Sequence, residues 1–247
     1  MQNQANIVIS INNLTVLYNK KPVIENLNVQ FPSENMCSII GPNGSGKTTL
    51  LKSIVGIIQP STGSIQIYNQ HGKKNLKIAY VPQKNSIDWT FPINVFDVVM
   101  MGRYHTLAWW QKPKKEDHEI VLWALQQVEM IDFGHRQISQ LSGGQQQRIF
   151  LARALAQQAD IFVLDEPFTG IDIKTENFLL NLFNNLKNQN KTILIVHHDL
   201  NTVLQYFDWT LMMHQNYTTF GPTKKIITPE NIKKLFYPAQ GLFHDFL

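Results

Sequence analysis

Two apolar patterns in the chain predict strands. Apolar and polar residues alternate where one face of a strand meets water, and such stretches occur at 7–11, 27–31 and 65–68. Short continuous apolar runs are typical of strands buried on both faces of a parallel sheet, and they occur at 36–40, 161–164 and 192–196. A further strand is predicted at 77–81. We therefore expect antiparallel strands near the N-terminus and a mostly parallel sheet formed by the later strands.

Between residues 85 and 158 the pattern changes to helical spacing. Apolar residues recur every three or four positions in 92–104 and in 115–130, without a strand signal between them. The second of these stretches is expected to be an amphipathic helix whose apolar stripe faces the core. The stripe consists of Val121, Leu122, Leu125 and Val128.

The remaining segments complete a predicted α/β fold of one domain. A helix is expected at 174–187 and another after residue 200, followed by a hairpin near Gln215 and Asn216 and a tail that contains three prolines. We expect three parts. A core with its β subdomain spans 1–84 and 159–220, an inserted helical subdomain spans 85–158, and a C-terminal tail spans 221–247.

The composition is that of a globular protein. Hydrophobic residues make up 43% and charged residues 16% of the chain, and the net charge of +4 is too small and too scattered to demand nucleic acid. No apolar run approaches the ~20 residues that cross a bilayer. Residues 1–10 lack the basic start and apolar core of a secretion signal. We therefore expect a protein that stays in the cytosol, with its one cysteine, Cys37, buried in a strand.

A glycine-rich loop follows the apolar run at 36–40 and reads GPNGSGKT. Successive backbone N–H groups of such a loop can surround the phosphates of a nucleotide, and glycine lets the backbone approach them closely. Lys47 is expected to reach the β and γ phosphates and Thr48 to ligate Mg²⁺, at the positive end of a helix. A glycine-rich turn without a ligand is the alternative. The predicted nucleotide-binding residues are Gly41, Pro42, Asn43, Gly44, Ser45, Gly46, Lys47, Thr48 and Thr49.

A second segment suited to an anion reads LSGGQQQR from Leu141. Ser142 is well placed as a helix N-cap, and Gly143 and Gly144 leave backbone N–H groups uncovered at the start of that helix. We expect Ser142, Gly143, Gly144 and Gln145 to contact a phosphate.

Two adjacent carboxylates, Asp165 and Glu166, end the apolar run at 161–164. Buried carboxylates are costly unless a cation or a proton holds them. Asp165 suits Mg²⁺, directly or through water. Glu166 suits a general base that polarises the attacking water.

Two histidines and an aspartate, His197, His198 and Asp199, end the run at 192–196. This set could suggest a metal site. However, adjacent residues of a strand point to opposite faces, so the two histidines are not expected to bind one ion together. One histidine in contact with a γ phosphate is the favoured functional interpretation.

Several other positions leave two interpretations open. Tyr18 is either ordinary core filling or an aromatic ring that stacks on adenine. Gln83, at the end of a predicted strand, is either solvated or able to ligate Mg²⁺ and orient water. A cluster of four aromatic residues is either an exposed patch for a partner or packing of the helical region. These residues are Trp89, Phe91, Trp109 and Trp110.

Together these motifs resemble the ATP-binding subunit of an ABC transporter, and the resemblance covers nearly the whole chain. Residues 41–48 are similar to the Walker A loop, 141–145 to the LSGGQ signature and 161–166 to the Walker B strand. The resemblance implies a P-loop NTPase core with a mostly parallel sheet, an N-terminal antiparallel β subdomain and an inserted α-helical subdomain. It also implies ATP hydrolysis with Mg²⁺.

The resemblance assigns roles to single residues as well. Gln83 corresponds to the Q-loop glutamine, Glu166 to the catalytic glutamate and His198 to the switch histidine. Asp172 corresponds to the D-loop aspartate, although the sequence before it is Thr-Gly-Ile where Ser-Ala-Leu is commoner. Tyr18 falls where the family carries its adenine-stacking aromatic.

The family further implies a head-to-tail homodimer in which the signature of one subunit covers ATP on the other. It implies a separate integral membrane permease, and so a peripheral position on the cytoplasmic face of the membrane. The stretch from Val81 to Arg103 is similar to ATPases of manganese, zinc and iron importers. In such systems an extracytoplasmic protein binds the metal and acts with this subunit only indirectly.

Three other functions remain open at this point. A soluble ABC-type ATPase that acts on nucleic acid or ribosomes would carry coiled coils or two ATPase domains, and this chain shows neither heptads nor repeats. A nucleotide-binding regulator without hydrolysis is disfavoured because Asp165, Glu166 and His198 are all present. An ABC importer of another substrate is the third alternative.

Overall fold

A computed structural model describes residues 6–68, 76–84, 91–214 and 217–236, which form an α/β fold. The strands in these residues are β1 (Ile7–Tyr18), β2 (Lys21–Pro32), β3 (Met36–Ile40), β4 (Thr62–Ile67), β5 (Ile78–Val81), β6 (Ile161–Leu164), β7 (Thr192–Val196), β8 (Trp209–His214) and β9 (Tyr217–Pro222). The helices are α1 (Lys47–Ile54), α2 (Val95–Met100), α3 (Lys115–Gln127), α4 (Gly143–Ala156), α5 (Ile173–Asn188), α6 (Leu200–Tyr206), α7 (Thr223–Ile226) and α8 (Pro229–Phe236). The chain divides into two compact units, Met1–Gly72 with Leu194–Leu247, and Lys73–Ile193.

The first unit contains an antiparallel sheet of order β2-β1-β4. Asn19 and Lys20 join β1 to β2, and their φ angles of 50° and 64° suit the tight hairpin turn that matches strand twist. The register of β1 shifts between Ile11 and Leu14, around Asn13 with a φ of 49°. Such a shift breaks the alternation of apolar residues. The sequence pattern therefore predicted a short strand where the structure has one of 12 residues.

The first unit also contains part of a second sheet, in which the end of β7 is followed by β3, β8 and β9. Strand β3 is parallel to β8, and β8 is antiparallel to β9, which confirms the predicted hairpin. The tip of the hairpin lies outside the described residues. All of β3 is buried, including Cys37, as predicted. Burial, together with the nearby charge of Asp208, raises the pKa of the Cys37 thiol.

The second unit combines parallel strands with the predicted helical region. Strands β5 and β6 are parallel, and the start of β7 follows β6 in the sheet. Helices α2, α3 and α4 bury Val99, Val121 and Leu125 among one another. The predicted stripe of α3 is wrong at Leu122, which is exposed, while Ala124 is buried. Positions 121, 124, 125 and 128 share one helix face because their spacing follows 3.6 residues per turn.

The tail contains a helix that the sequence did not predict. Helix α8 starts at Pro229, a residue favoured in the first turn because it has no N–H group to satisfy, and it buries Leu235.

Candidate functional site

Strand β3 leads directly into the phosphate loop, whose geometry depends on two glycines. A Cβ atom on Gly41 would meet the carbonyl oxygen of Met213, so a side chain does not fit there. Gly46 has a φ of 93° and is the N-cap of α1, and no described side chain caps this helix. The N-terminal end of α1, with its positive dipole, suits an external anion such as a phosphate.

Lys47 lies inside this loop and is buried. Its Nζ atom donates hydrogen bonds to the carbonyl oxygens of Gly41 and Pro42, at 2.9 Å each. An ammonium group held by two neutral oxygens can exchange them for charged phosphate oxygens, which accept stronger hydrogen bonds. The rest of the loop is mixed in exposure: Asn43 and Gly44 are exposed, Thr48 is half-buried, and Ser45 and Thr49 are buried.

Asp165 occupies the end of β6 in the second unit and is only 1% exposed. Its backbone N–H continues the pairing of β6 with β5 by donating to the carbonyl oxygen of Val81, at 2.9 Å. Tyr80 lies close enough that its pKa is raised, mainly by burial and secondarily by the charge of Asp165. The carboxylate thus forms part of a buried polar group at the strand end, as the prediction of a cation ligand requires.

Glu166 follows in a left-handed backbone conformation, with a φ of 51°. Its Oε2 atom accepts a hydrogen bond of 2.8 Å from Nε2 of Gln83 and one of 3.4 Å from the hydroxyl of Thr169. The structure therefore brings together two predicted site residues, Gln83 and Glu166, that lie 83 residues apart. Thr169 was not predicted, and its place three residues after Glu166 is the only signal that could have found it.

The predicted signature segment caps α4. The hydroxyl of Ser142 accepts from the N–H of Gln145 at 3.4 Å, and Oε1 of Gln145 accepts from the N–H of Ser142 at 2.9 Å. This reciprocal pair is a capping box, which confirms the predicted N-cap. Nζ of Lys84 lies against Gly143, where a Cβ atom would collide with it. Lys84 was not predicted from the sequence, because a lysine after Gln83 resembles any solvated lysine.

Asp172, in the second unit, both caps a helix and lines a cavity. It is the N-cap of α5, since Oδ1 accepts from the N–H of Thr175 and Oδ2 from the hydroxyl of Thr175, each at 2.9 Å. These hydrogen bonds lower the pKa of the Asp172 carboxyl group. Asp172 also lines a small open cavity of about 280 Å³ together with three signature residues. They are Ser142, Gly144 and Gln145.

The two histidines after β7 differ in environment. His197 is 6% exposed, with its ring centroid 5.9 Å from that of Phe207, whereas His198 is exposed. Burial lowers the pKa of His197 to about 4. This contrast agrees with the expectation that the pair does not bind one ion together. Among the described residues, no group of three or more His, Cys, Asp or Glu side chains is arranged to hold a metal.

Two predicted contact regions lie at the surface. Tyr18, at the end of β1, is 47% exposed and so is not core filling. In the aromatic cluster, Phe91, Trp109 and Trp110 are exposed, which rules out packing as their role, while Trp89 lies outside the described residues.

The glycine loop, the strand that ends in two carboxylates and the capped glycine segment define a class of protein. Residues 24–169 match the ABC transporter family, and the chain belongs to that family. It is an ABC ATPase that binds and hydrolyses ATP, and it is the ATP-binding subunit of a transport system with a membrane permease as its partner. The predicted fold class is thereby confirmed. Among the residues described, none of the helices is long and apolar enough to span a bilayer.

Two relatives and one solved structure are similar to most of this chain. The chain is 49% identical to the manganese transport system ATP-binding protein MntB of Bacillus subtilis over 92% of each chain. It is 43% identical to the zinc transport system ATP-binding protein TroB of Treponema pallidum, over 92% of this chain and 86% of that one. A solved structure described as a metal-chelate type ABC transporter in an inward-facing conformation has a TM-score of 0.84 and 32% identity, over 94% of this chain and 89% of that one.

Proposed function

We propose that this subunit powers the import of a divalent metal ion, such as manganese, zinc or iron, through its separate permease. The supporting observation is the high identity to MntB over 92% of each chain, joined by a relative named for zinc transport. The metal ion is the cargo of the system and passes through the permease. An extracytoplasmic binding protein delivers it, and the present subunit works at the cytoplasmic face.

ATP binding starts at the phosphate loop. Lys47 exchanges the carbonyl oxygens of Gly41 and Pro42 for the β and γ phosphates, and backbone N–H groups at the start of α1 donate to the phosphate oxygens. Tyr18 is exposed and available to stack on adenine. Mg²⁺ neutralises phosphate charge when it is bound, and Thr48, Gln83 and Asp165 offer the hydroxyl, amide and carboxylate oxygens that this ion prefers.

Hydrolysis then depends on Glu166 as the general base for water, with His198 beside the γ phosphate. Gln83 holds the Glu166 carboxylate at 2.8 Å in the described structure. This hydrogen bond stabilises the charged carboxylate and so opposes its protonation. We propose that the bond is released when a head-to-tail homodimer closes.

In the closed homodimer, Ser142, Gly143, Gly144 and Gln145 of each subunit cover ATP on the other, with Asp172 beside them. The support is that the signature residues and Asp172 line one cavity. ATP shifts the equilibrium toward closure only by the difference between its affinities for the two states. Covering the nucleotide with a second phosphate-binding segment supplies such a difference.

The proposal is tested by metal uptake in cells that also carry the permease and the binding protein of the system. Accumulation of Mn²⁺, Zn²⁺ and Fe²⁺ is compared between the wild type and Glu166→Gln. Removing a general base slows hydrolysis roughly 10²- to 10⁴-fold, so uptake of one metal should disappear. Glu25→Gln, the same change at an exposed position of β2, should leave uptake intact.

Two results would contradict the proposal. If no metal is accumulated while the purified chain still hydrolyses ATP, the chain powers transport of another substrate. If Glu166→Gln hydrolyses ATP at the wild-type rate, the assignment of the general base is wrong.

A further inference from the structure

Trp109 and Trp110 form the tip of a closed turn. The carbonyl oxygen of Ala108 accepts from the N–H of Gln111 at 2.8 Å, and Oε1 of Gln111 accepts from the N–H of Ala108 at 3.1 Å. The side chains at the two central positions are 92% and 68% exposed, and their rings meet edge to face with centroids 5.4 Å apart. We refer to residues 108–111 as the tryptophan turn.

The base of this segment is fixed by a buried ion pair. Nε of Arg103 donates to Oδ1 of Asp117 at 3.0 Å, and the backbone N–H of Lys114 donates to Oδ2 of the same carboxylate at 2.9 Å. Nη1 of Arg103 also donates to the carbonyl oxygen of Ala156 at 2.9 Å, at the end of α4. The two ends of the segment between α2 and α3 are therefore joined. The tryptophan turn is presented in a fixed form, which lowers the entropy lost when it binds a partner.

The residues that follow the turn are basic. Lys112, Lys114 and Lys115 are exposed, and no acidic residue lies between Arg103 and Lys115. The nearest acidic residues belong to α3: Asp117 is buried in its pair with Arg103, while Glu116 and Glu119 are exposed. Nζ of Lys115 is 3.8 Å from Glu119 in a solvated contact of little strength. The tip thus joins two exposed indoles to three lysines.

We propose that the tryptophan turn contacts the surface of a bilayer that contains anionic lipid. Tryptophan is enriched at the membrane–water interface because its ring is apolar and its N–H group is polar. Lysines beside it gain from the negative potential of anionic headgroups. A protein partner would suit the two tryptophans but not the three lysines, since tryptophan is enriched and lysine depleted in protein interfaces; an anionic bilayer suits both. The inference rests on the proposed function only in that a transport subunit works beside a membrane.

The test uses the purified full chain and vesicles of phosphatidylcholine, alone or mixed with phosphatidylglycerol. Cosedimentation should show binding to the mixed vesicles that weakens as salt is added. The double variant Trp109→Ala and Trp110→Ala should lose about tenfold in binding. Changing Lys112, Lys114 and Lys115 to Gln should cost about fivefold for each lysine. ATP hydrolysis by the purified variants should stay at the wild-type rate, which separates this test from that of the proposed function.

Matched controls use residues of the same type elsewhere. Trp123→Ala removes a 42% exposed tryptophan from α3, and the triple change of Lys224, Lys225 and Lys233 to Gln removes exposed lysines from α7 and α8. Equal losses in these controls, or binding that does not depend on lipid charge, would overturn the proposal. The proposal is also wrong if the double tryptophan variant still binds vesicles but no longer binds the detergent-solubilised permease. The turn would then be a contact with protein.

Discussion

Glu166 combines a reactive group with an unfavourable backbone. A φ of 51° costs a residue with a side chain roughly 1 kcal/mol. Glycine and asparagine adopt this conformation more readily than the glutamate found here. The conformation places the carboxylate against Gln83 and Thr169. Strain of this kind persists where surrounding structure fixes it, and it is concentrated at functional sites. The left-handed conformation of Glu166 thus orients its carboxylate toward these two partners.

His197 makes stability depend on pH. Its pKa is lowered by burial to about 4, below the value near 6.5 of an exposed histidine, so the unfolded chain binds its proton first as pH falls. The contribution of His197 is complete above pH ~6.5 and is lost between pH ~6.5 and ~4, by an amount of the order of 3 kcal/mol. Urea unfolding measured across this pH range should show that the free energy of unfolding falls as pH falls. The His197→Asn variant should show a smaller dependence on pH.

His198 provides the control for this prediction, because it is the same residue type in an exposed position. His198→Asn makes the same chemical change outside the buried site, so the pH dependence of the unfolding free energy is compared among the wild type and the two variants. A slope that is the same in all three proteins would show that His197 does not titrate differently in the folded and unfolded states.

At the scale of elements, several residues of the candidate functional site lie at the N-termini of helices. Ser142 caps α4 and Asp172 caps α5, and both residues line one cavity. The cap at Ser142 could be predicted because serine before a glycine pair and a glutamine at the third position is a local signal. The cap at Asp172 was not predicted, since the family resemblance directed attention to the nucleotide. One residue can serve both purposes because capping orients its carboxylate.

The ion pair of Arg103 with Asp117 should stabilise the helical region strongly. Both side chains are 7% exposed, and removing one partner of a buried pair leaves an uncompensated charge. Asp117→Asn should therefore lower the free energy of unfolding by about 3 kcal/mol. Urea denaturation followed by circular dichroism measures this change.

An exposed acidic residue of the same helix serves for comparison. Glu119→Gln removes the solvated contact with Lys115 and should change the unfolding free energy by less than about 0.5 kcal/mol. If Asp117→Asn costs no more than Glu119→Gln, the buried pair contributes nothing net and does not fix the base of the tryptophan turn.

At the scale of the whole molecule, the sequence predicted the family and the order of its elements because the motifs are local. The phosphate loop and the Asp165–Glu166 pair each follow a buried strand, and the signature opens a helix, so each motif lies within about ten residues. Contacts between distant segments were beyond such reasoning. The approach of Lys84 to Gly143, the bond from Gln83 to Glu166 and the pairing of Arg103 with Asp117 all depend on how the chain folds back on itself. Exposure of Trp109 and Trp110 likewise had to be seen in three dimensions.

The proposed dimer gives a prediction for the entire subunit. Glu166→Gln retains the phosphate loop and the signature, so it should bind ATP, close and fail to reopen. Sedimentation velocity should show a dimer of the variant in the presence of ATP and Mg²⁺, and a monomer without nucleotide. Adding Lys47→Ala should abolish the dimer, because the lysine contact with the phosphates is lost. A Glu166→Gln protein that stays monomeric at saturating ATP would contradict the head-to-tail arrangement.

The burial of Cys37 in β3 has a practical consequence. It is the one cysteine of the chain, and its raised pKa keeps the thiol in the protonated form, which does not attack labelling reagents. A cysteine introduced at an exposed position thus becomes a unique attachment point without removal of the natural one. Spin labels or fluorophores placed at two such positions can report distances within the subunit while the native strand remains intact.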